Sequence, residues 1–557
     1  MINNKKTFWI LLAIVIFASV LRLWQLGNVP PSPDWDEVAL GYDAYSIIHT
    51  GRDEFGKFLP VVLRSFDDYK PALYSYLTIP SILIFGLNVF AVRLPSAVFG
   101  IISVLAVFYL VRELFEKYNR KDYLALLSSF LFAISPWSIQ FSRVGFEANV
   151  GDTLNILTAL FFVKGLKKPW LLPLSAFFAG FNIYSYQSEK VFTPLLVLAL
   201  VVIYRKELFS ISKKYLTSAI ILGLIIVTPM IFYIENDRAA LLRVTGTSIF
   251  SYQTELLKSD IVKLQRDIVH NDKLGVLLDN RRFIYGKTIV SGYISHFDLN
   301  WLFITGDIAR HHAPNMGLLY LFEFPFILLG IYFLIFGSPV GGFDKKTKLT
   351  IFFWFLIAPI PAFITTGVPH AVRTLNFLPT WQIFSGLGIL SAFLLVNKYK
   401  KVRFTFYFIF CLVFILNFSY YFNQYFAQLN YYNSQNWKYG YQQAVDEVKL
   451  IQNKYKEIVV SDRRPMDKSY MFFLFYLKYP PSYYQKIGKF SSGGYAAHHA
   501  FGKYVFRPID WPKDSLRRNV LYIGTPNDIP NDIPNDINTI KTIANLDGTP
   551  AIKIVGR

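Results

Sequence analysis

Long runs of apolar residues alternate with short polar segments along most of the chain. The first run, residues 8–24, reads FWILLAIVIFASVLRLW and ends before a bend rich in glycine and proline. Runs of about 20 apolar residues are long enough to cross a bilayer as helices. The pattern predicts eleven membrane-spanning helices, at about 8–26, 90–112, 123–141, 150–164, 170–187, 191–205, 215–234, 318–337, 349–366, 375–396 and 403–422.

Clusters of Lys and Arg decide the predicted orientation. They occupy six segments between the apolar runs, at 5–6, 112–121, 164–168, 205–214, 345–348 and 398–403. The positive-inside rule places all six in the cytoplasm. An odd number of spans then leaves the N-terminus inside and the C-terminus outside.

Residues 71–88 (PALYSYLTIPSILIFGLN) are apolar enough to resemble a further span. Counting them as one would move the basic loop at 117–121 to the wrong face. Pro80 and Gly86 also interrupt the run. We therefore predict a helix that lies at the outer membrane surface with its apolar face down.

The remaining segments define the predicted domains. Residues 1–422 form the membrane domain, and residues 423–557 form an extracytoplasmic α/β domain with a helix at 437–455 and strands at 457–462 and 519–524. The repeat NDIPNDIPNDI at 527–537 predicts an exposed loop. The outer loops of the membrane domain are 27–89, 142–149, 235–317, with a helix-like stretch at 251–280, and 367–374.

Composition agrees with a polytopic membrane protein. The 557 residues are 53% hydrophobic and 18% aromatic, and the mean hydropathy is +0.34. The net charge of +20 lies mostly in short loops between apolar runs, which indicates membrane topology and argues against a nucleic-acid partner. A single cysteine, Cys411, excludes disulfides and cysteine-based metal sites. Lys5 and Lys6 precede the first run without a following cleavage site, so we expect a retained anchor.

Three acids, Asp34, Asp36 and Glu37, follow the first span directly. Carboxylates at a membrane boundary are costly to desolvate and are commonly functional. A structural alternative exists for Asp34, which could cap a helix with Glu37 three residues later completing a capping box. Asp36 lies inside that predicted helix, and the capping role of Asp34 does not exclude a catalytic role for Asp36.

Basic side chains also gather in the predicted outer segments. They are Lys70, Arg93, Arg143, Arg310, His311, His312, His370 and Arg373. Together with Glu147 and Asp152 they suit a substrate that has an apolar tail and a phosphate, because Lys offers a point charge and Arg a bidentate fork. The alternative is that each cation snorkels to a lipid head group, and for Arg93 we favour a structural role. The adjacent pairs His311–His312 and His498–His499 have diverging side chains and do not by themselves indicate a metal site.

Three stretches carry a family resemblance: LGNVPPSPDWDEVALGYDAYSIIHTG, DDYKPALYSYLTIPSILIFGLNVFAVRLPSAVFG and FSRVGFEANVGD. They resemble the N-terminal half of the GT-C membrane glycosyltransferases, in the branch of protein O-mannosyltransferases and lipid A aminoarabinose transferases. That branch has an Asp-Glu pair in the first outer loop, a Lys-Pro before an interfacial helix, an Arg-Leu-Pro-Ser entering the second span, and an Arg with an acid four residues later. All four occur here in order. The resemblance is strong over about 1–160, recognisable near 296–380 and absent from 423–557.

The resemblance implies roles for particular residues. Asp36 is the expected catalytic base, Glu37 its motif neighbour, and Glu147 stands where the family has an acid that is usually Asp. Lys70 and Arg143 match positions at the lipid-phosphate end of the donor, and Arg310, His312 and Arg373 complete the candidate phosphate-binding set. Tyr69 replaces the acid that precedes Lys-Pro in the aminoarabinose branch, so a metal ligand at this point is in doubt. No cofactor is assigned, and a divalent metal is left open.

The resemblance and the charge pattern together predict an enzyme. We expect an inverting transfer of a hexose or pentose from a polyprenyl-phosphate donor to a hydroxyl of a protein, lipid or glycan, at the outer face of the cell membrane. Nucleotide sugars are not the expected donors, since no phosphate-cradling glycine loop occurs. The alternatives are a transporter or flippase for polyprenyl-linked glycans, and a purely structural membrane partner. We see neither internal repeats nor midplane charges, which transporters often have.

Overall fold

The computed structural model describes residues 4–66, 68–237, 246, 248–339, 341–487 and 499–557. The chain forms two compact units. The first unit contains Met1–Ala18, Gly100–Ile139 and Ala148–Ser419. The second unit contains Ser19–Phe99, Gln140–Glu147 and Tyr420–Arg557.

Helices account for most of the described residues before the C-terminal region. Up to residue 300 they are Asn4–Leu23, Trp35–Thr50, Leu73–Phe85, Val89–Leu114, Lys121–Ile134, Pro136–Ser142, Glu147–Lys167, Leu172–Asn182, Glu189–Ile203, Arg205–Leu208, Lys213–Asn236, Gln253–Val269, Lys273–Leu278 and Arg281–Ser295. The later helices are Glu323–Phe336, Lys345–Ile357, Ile360–Phe363, Thr380–Val396, Lys400–Asn423, Leu429–Asn433, Tyr441–Ile451, Ser469–Leu477, Pro481–Ile487 and Trp511–Asp514. The helix-like stretch predicted at 251–280 is two helices, with a turn between them.

Six helical segments in the described residues are long and apolar enough to cross a membrane. They are Asn4–Leu23, Val89–Leu114, Lys213–Asn236, Lys345–Phe363, Leu375–Val396 and Lys400–Asn433. A seventh results if Lys121–Ile134 and Pro136–Ser142, which are bent by 57°, count as one span. All eleven predicted segments overlap helices, because the apolar periodicity that predicts them is local. The chain is a multi-pass membrane protein, and the number of eleven spans stays a prediction.

Residues 27–89, the predicted first outer loop, contain structure that the periodicity did not predict. Strand β1 (Val62–Ser65) pairs antiparallel with β2 (Asp68–Pro71), so Lys70 lies on a hairpin strand, a position that differs from the predicted helix start. The helix Leu73–Phe85 follows, with Pro80 inside it. The helical prediction for 71–88 is confirmed, and its place at the membrane surface stays a prediction.

The C-terminal region contains a six-stranded mixed sheet. Its strands are β3 (Glu457–Val460), β4 (His499–Phe501), β5 (Tyr504–Phe506), β6 (Val520–Gly524), β7 (Asn538–Ala544) and β8 (Pro550–Gly556), in the order β4-β5-β3-β6-β8-β7. The central strand β3 is parallel to β5 and β6, and the other pairs are antiparallel. The predicted strands at 457–462 and 519–524 are confirmed. The helix predicted at 437–455 is shorter, Tyr441–Ile451.

The repeat at 527–537 has neither helix nor strand, as predicted. It is not exposed throughout, because Ile529 and Ile537 are buried in a small cluster with Val520, Tyr522 and Val555. Two isoleucines thus fix the repeat to the sheet while its Asn and Pro residues face solvent.

A larger hydrophobic core of the second unit joins its earlier and its C-terminal segments. It combines Val38 and Tyr42 of the helix Trp35–Thr50 with Phe472 and Leu474 of the helix Ser469–Leu477. Burying such side chains stabilises by roughly 1.5–3 kcal/mol each. The segment that carries the acids therefore shares its core with the C-terminal region. The division predicted at residue 422 stays a prediction.

Candidate active site

Arg93 holds the proline-rich bend in the second unit. Its guanidinium is fully buried and donates to the backbone carbonyls of Leu26 (3.1 Å), Pro30 (2.9 Å) and Ser32 (2.8 Å). Nε and Nη2 donate to the two carboxylate oxygens of Glu37, at 2.8 and 3.1 Å. A planar fork with five donors satisfies all of these acceptors at once. These contacts support the structural role that we favour for Arg93, through partners within the protein.

Glu37 is the buried carboxylate that accepts from the Arg93 guanidinium. Besides the two bonds from Arg93, it accepts from the backbone N–H groups of Asp34 (2.9 Å) and Gly145 (2.8 Å). Asp34 caps the helix Trp35–Thr50 with its side chain, and the reciprocal bond from Glu37 completes the capping box. A carboxylate with four donors and no exposed surface organises the loop, and its predicted part in catalysis stays a prediction.

Asp36 is positioned differently from its two neighbours. Its side chain is 29% exposed and forms an ion pair with the ammonium of Lys70, whose own side chain is 5% exposed. Lys70 is fixed by the β1–β2 hairpin, where it lies opposite Leu63. The arrangement provides a carboxylate open to solvent and a buried ammonium next to it.

Arg143 and Glu147 belong to the same unit. Arg143 is fully buried, donates to the carbonyls of Leu21 (2.8 Å) and Val29 (3.0 Å), and lies 4.8 Å from the ring centre of Phe426. It fastens the first helix to the bend that follows. Glu147 is the first residue of its helix and is 5% exposed, a position where the helix dipole stabilises an anion. Their predicted roles in donor binding and catalysis stay predictions.

The other candidate cations lie in the first unit. Arg373 donates from Nη1 to the hydroxyl of Thr365 (2.5 Å) and the carbonyl of Thr366 (2.8 Å). His312 makes Nδ1 contacts with the carbonyls of Ala313 (2.7 Å) and Met316 (3.1 Å). Arg310 is half-buried in the same loop. The predicted phosphate-binding set is thus divided between the two units, and its role stays a prediction.

Three side chains of the first unit form an arrangement that the sequence did not indicate. Asp307, His311 and His370 each place one candidate ligand atom within 4.8 Å of the others. His311 Nδ1 is 2.9 Å from the Asp307 carboxylate, and Nδ1 of His370 is buried without a hydrogen-bond partner. His311 and His370 are far apart in the sequence, and of the adjacent pair His311–His312 only His311 belongs to the trio. His498 lies outside the described residues.

The chemistry of this trio fits a divalent metal. Two imidazoles and one carboxylate are a common ligand set for zinc and similar cations. Burial lowers the pKa of His311 and of His370, so both imidazoles are neutral and able to coordinate at neutral pH. Burial is the largest single influence on the pKa of Asp307 and raises it, but the hydrogen bond from His311, the two nearby histidines and the Ala371 backbone N–H together make the net shift downward. Tyr69, which stands where the aminoarabinose branch has an acid, is not part of this trio.

A second acidic group lies in residues 27–89, the predicted first outer loop. Asp43 and Glu54 are almost fully buried, and the carboxylate of Asp43 accepts from the Glu54 backbone N–H at 3.0 Å. Burial raises the pKa of Glu54, and the nearby Asp43 and Asp53 raise it further. Both carboxylate oxygens of Glu54 are buried without a partner. The folded protein therefore favours the protonated form of Glu54.

Comparison with known proteins finds similarity to mannosyltransferases over part of the chain. The family model for dolichyl-phosphate-mannose-protein mannosyltransferase matches residues 69–233, a range that begins just before Lys70. The chain is 28% identical over 210 residues to "Putative mannosyltransferase YkcB" of Bacillus subtilis (strain 168), a match that covers 36% of this chain. The chain spans only 27% of the length of that relative.

Two solved structures share the fold over almost the whole chain. ArnT from Cupriavidus metallidurans bound to undecaprenyl phosphate has a TM-score of 0.55 at 10% identity and covers 98% of each chain. The apo state of the same protein has a TM-score of 0.54 at 10% identity, covering 99% of this chain and 98% of that one. In these two sequence matches and in its fold, the chain is similar to the GT-C glycosyltransferases.

Proposed function

We propose that this chain transfers a sugar from a polyprenyl-phosphate donor to a hydroxyl acceptor at the outer face of the membrane, with inversion at the anomeric carbon. The observation that supports it most directly is the pairing of Asp36 with Lys70. A general base and a cation for the leaving phosphate are the two groups that such a reaction needs.

Asp36 is the proposed base because it is the acid of the cluster with a solvent-accessible carboxylate. Asp34 and Glu37 are fully buried and used by the capping box. An exposed fraction of 29% lets an acceptor hydroxyl reach the Asp36 carboxylate. Proton removal by a positioned carboxylate contributes typically ~10²–10⁴-fold to the rate.

The proposed step is a single displacement. The acceptor oxygen forms a bond to the anomeric carbon while the bond between that carbon and the phosphate oxygen breaks. The acceptor proton passes to Asp36 and then to water, and the phosphodiester leaves as polyprenyl monophosphate. Since negative charge grows on the phosphate as the bond breaks, a nearby ammonium binds the transition state better than the ground state.

Lys70 supplies that ammonium in the proposal. In the structure Lys70 is bound to Asp36, and a donor phosphate would compete for the same N–H groups. Transfer of Lys70 to the phosphate would leave Asp36 free to accept a proton. Donor binding would thereby activate the base.

The comparisons support this choice of donor. The description of the matched family model names dolichyl-phosphate-mannose, and the ArnT structure of the same fold contains undecaprenyl phosphate.

The trio of Asp307, His311 and His370 would hold a divalent metal, which when bound supplies positive charge. The orientation with outer loops 27–89, 142–149, 235–317 and 367–374 and an outer C-terminal region belongs to the same proposal.

A release assay separates this function from transport. Purified protein in detergent micelles has no second compartment, so release of free polyprenyl monophosphate from a labelled polyprenyl-phosphate sugar reports chemistry alone. The expected result is release that depends on an added hydroxyl acceptor. Movement of the donor across proteoliposomes, with no release in detergent from mannosyl or aminoarabinosyl donors, would support a flippase and refute the enzyme.

A further inference from the structure

A cavity of about 330 Å³ lies in the C-terminal region, and neither Asp36 nor Lys70 lines it. Most of its wall comes from three segments: the turn at 437–440, the start of the repeat at 527–537, and the hairpin of β7 and β8. All three belong to the second unit. Sites for small molecules commonly have volumes of about 300–1,000 Å³, so this cavity is large enough for a small ligand.

The turn at 437–440 has a shape that packing on the sheet fixes. Lys438 and Gly440 have left-handed backbone angles, with φ 54° and φ 105°. A Cβ on Gly440 would lie 3.3 Å from Cδ1 of Ile552, so the turn lies close against β8. Tyr439, between the two left-handed residues, is half-buried and lines the cavity.

Of the repeat, which the structure describes throughout, only the first copy reaches the cavity. Thr525 donates from its backbone N–H and its hydroxyl to the Asp528 carboxylate, at 2.9 and 2.8 Å, and Ile529 is buried. These contacts fix the loop, in which Asn527 is exposed and lines the cavity. Asn535, the same residue of the third copy, is also exposed but does not line it.

Asn545 brings a buried amide to the cavity from the hairpin of β7 and β8. It is 7% exposed, and its Nδ2 donates to the Thr549 hydroxyl at 3.1 Å. Within the described residues, its Oδ1 is buried and accepts no hydrogen bond. Buried acceptors in proteins are nearly always paired, so an unpaired one at a cavity indicates a missing donor. A ligand hydroxyl would supply that donor.

The cavity suits a neutral ligand better than an anion. Among the described residues that line it, Lys438 alone has a charged side chain. Its ammonium donates to the Pro465 carbonyl at 2.6 Å and to the Asp467 carboxylate at 3.0 Å, so this cation is already paired. Gln435 and Asn527 are exposed at the cavity, and each amide both donates and accepts hydrogen bonds.

Rigid ring surfaces accompany these amides. The Tyr441 ring stacks on Phe472 with 4.1 Å between the ring centres, and its hydroxyl donates to the Met466 carbonyl at 2.9 Å. Tyr439 and Pro526 add further ring surface to the lining. A saccharide matches this combination, because its C–H faces pack on apolar rings and its hydroxyls both donate and accept. Peptides are recognised along sheet edges and extended grooves, which differ from one compact cavity.

We propose that this cavity binds a neutral saccharide unit, whose hydroxyls bond to the amides of Gln435 and Asn527 and whose ring lies against Tyr439. The first copy of the repeat thereby gains a role in ligand binding. This inference goes beyond the proposed function and does not depend on it, because it concerns binding without donor or transfer.

The test measures binding to the purified full chain in nanodiscs, by saturation-transfer difference NMR with the methyl glycosides and disaccharides of mannose, glucose, galactose and N-acetylglucosamine. Maltoside detergents are avoided because they contain saccharides. Removing two neutral hydrogen bonds predicts about tenfold weaker binding by the double variant Gln435→Ala/Asn527→Ala. Both residues are exposed, so the double variant should keep the wild-type Tm. Asn535→Ala is the matched control and should bind within about twofold of the wild type.

Four results would overturn this inference. They are the absence of binding by every saccharide, unchanged binding by the double variant, and equal weakening by Asn535→Ala and Asn527→Ala. The fourth is a proline-rich peptide that binds in a way that depends on Gln435 and Asn527 while no saccharide does. Saccharide binding that needs Gln435 and Asn527 would support the site even if the release assay refuted the proposed function.

Discussion

Asp36→Asn is the substitution that tests the proposed chemistry most directly. It preserves the shape and volume of the side chain and removes its ability to take up a proton. The carbonyl oxygen of Asn still accepts a hydrogen bond from Lys70. Folding should therefore persist while general-base catalysis is lost.

The structure gives the size of each effect. Loss of a general base costs ~10²–10⁴-fold in kcat, equivalent to about 3–5 kcal/mol of transition-state stabilisation. Replacing a charged hydrogen bond to Lys70 by a neutral one costs about 1 kcal/mol of stability, a modest amount because the Asp36 side chain is 29% exposed. Donor affinity should stay the same or increase, because Lys70 no longer has to break an ion pair with Asp36 before it binds the phosphate.

The assay is release of polyprenyl monophosphate under single-turnover conditions, with donor affinity measured separately. Asp34→Asn is the matched control, since Asn caps a helix about as well as Asp and Asp34 accepts the Trp35 N–H at 2.7 Å. We expect Asp34→Asn to retain most of the activity. A large loss of kcat without weaker donor binding in Asp36→Asn alone would match the proposal.

Two results would refute the reasoning. If Asp36→Asn kept the wild-type rate on a substrate pair that the wild type uses, another group would be the base. If both variants failed to fold, the cluster would be structural as a whole, and the assignment of separate roles to Asp34 and Asp36 would be wrong.

Three further predictions concern stability and metal binding. Arg93→Lys should destabilise the fold by about 3–5 kcal/mol, because the buried Glu37 loses its bidentate partner, and the apparent Tm measures it. Glu54→Gln should raise the Tm more at pH 8 than at pH 5. Burial raises the pKa of Glu54 in the folded protein. The wild-type fold therefore loses stability as the pH rises above about 4.3, the pKa of Glu in the unfolded chain. The purified protein should bind one Co²⁺ with a visible absorption band, and His370→Ala should remove the band while Asp307 and His311 remain.

Each of these predictions has a contradicting result. A Tm for Arg93→Lys equal to that of the wild type would mean that the fork does not hold the bend. A Glu54→Gln variant that is less stable than the wild type at pH 8 would indicate that a cation, and not a proton, neutralises Asp43, Asp53 and Glu54. Co²⁺ absorption that survives in His370→Ala would place the metal elsewhere. His312→Ala is the control and should keep the absorption band, because Nδ1 of His312 contacts a backbone carbonyl.

The sequence by itself determined the features that depend on near neighbours. Apolar runs predict helices because a span needs about 20 apolar residues in succession. Asp34 and Glu37 predict a capping box because the two partners are three residues apart, and the structure contains it. The strands at 457–462 and 519–524 followed from the same kind of local pattern. The family resemblance rested on short motifs of this kind.

Only the tertiary structure decided which distant residues meet. Arg93 reaches Glu37 across 56 positions and Lys70 reaches Asp36 across 34, and no periodicity relates such pairs. The trio with His370 and the cavity that Asn527 and Asn545 line likewise come from chain packing. Burial then separates acids that look alike in sequence, because the free energy of a charge depends on its neighbours and on access to water, both of which are set by the folded chain.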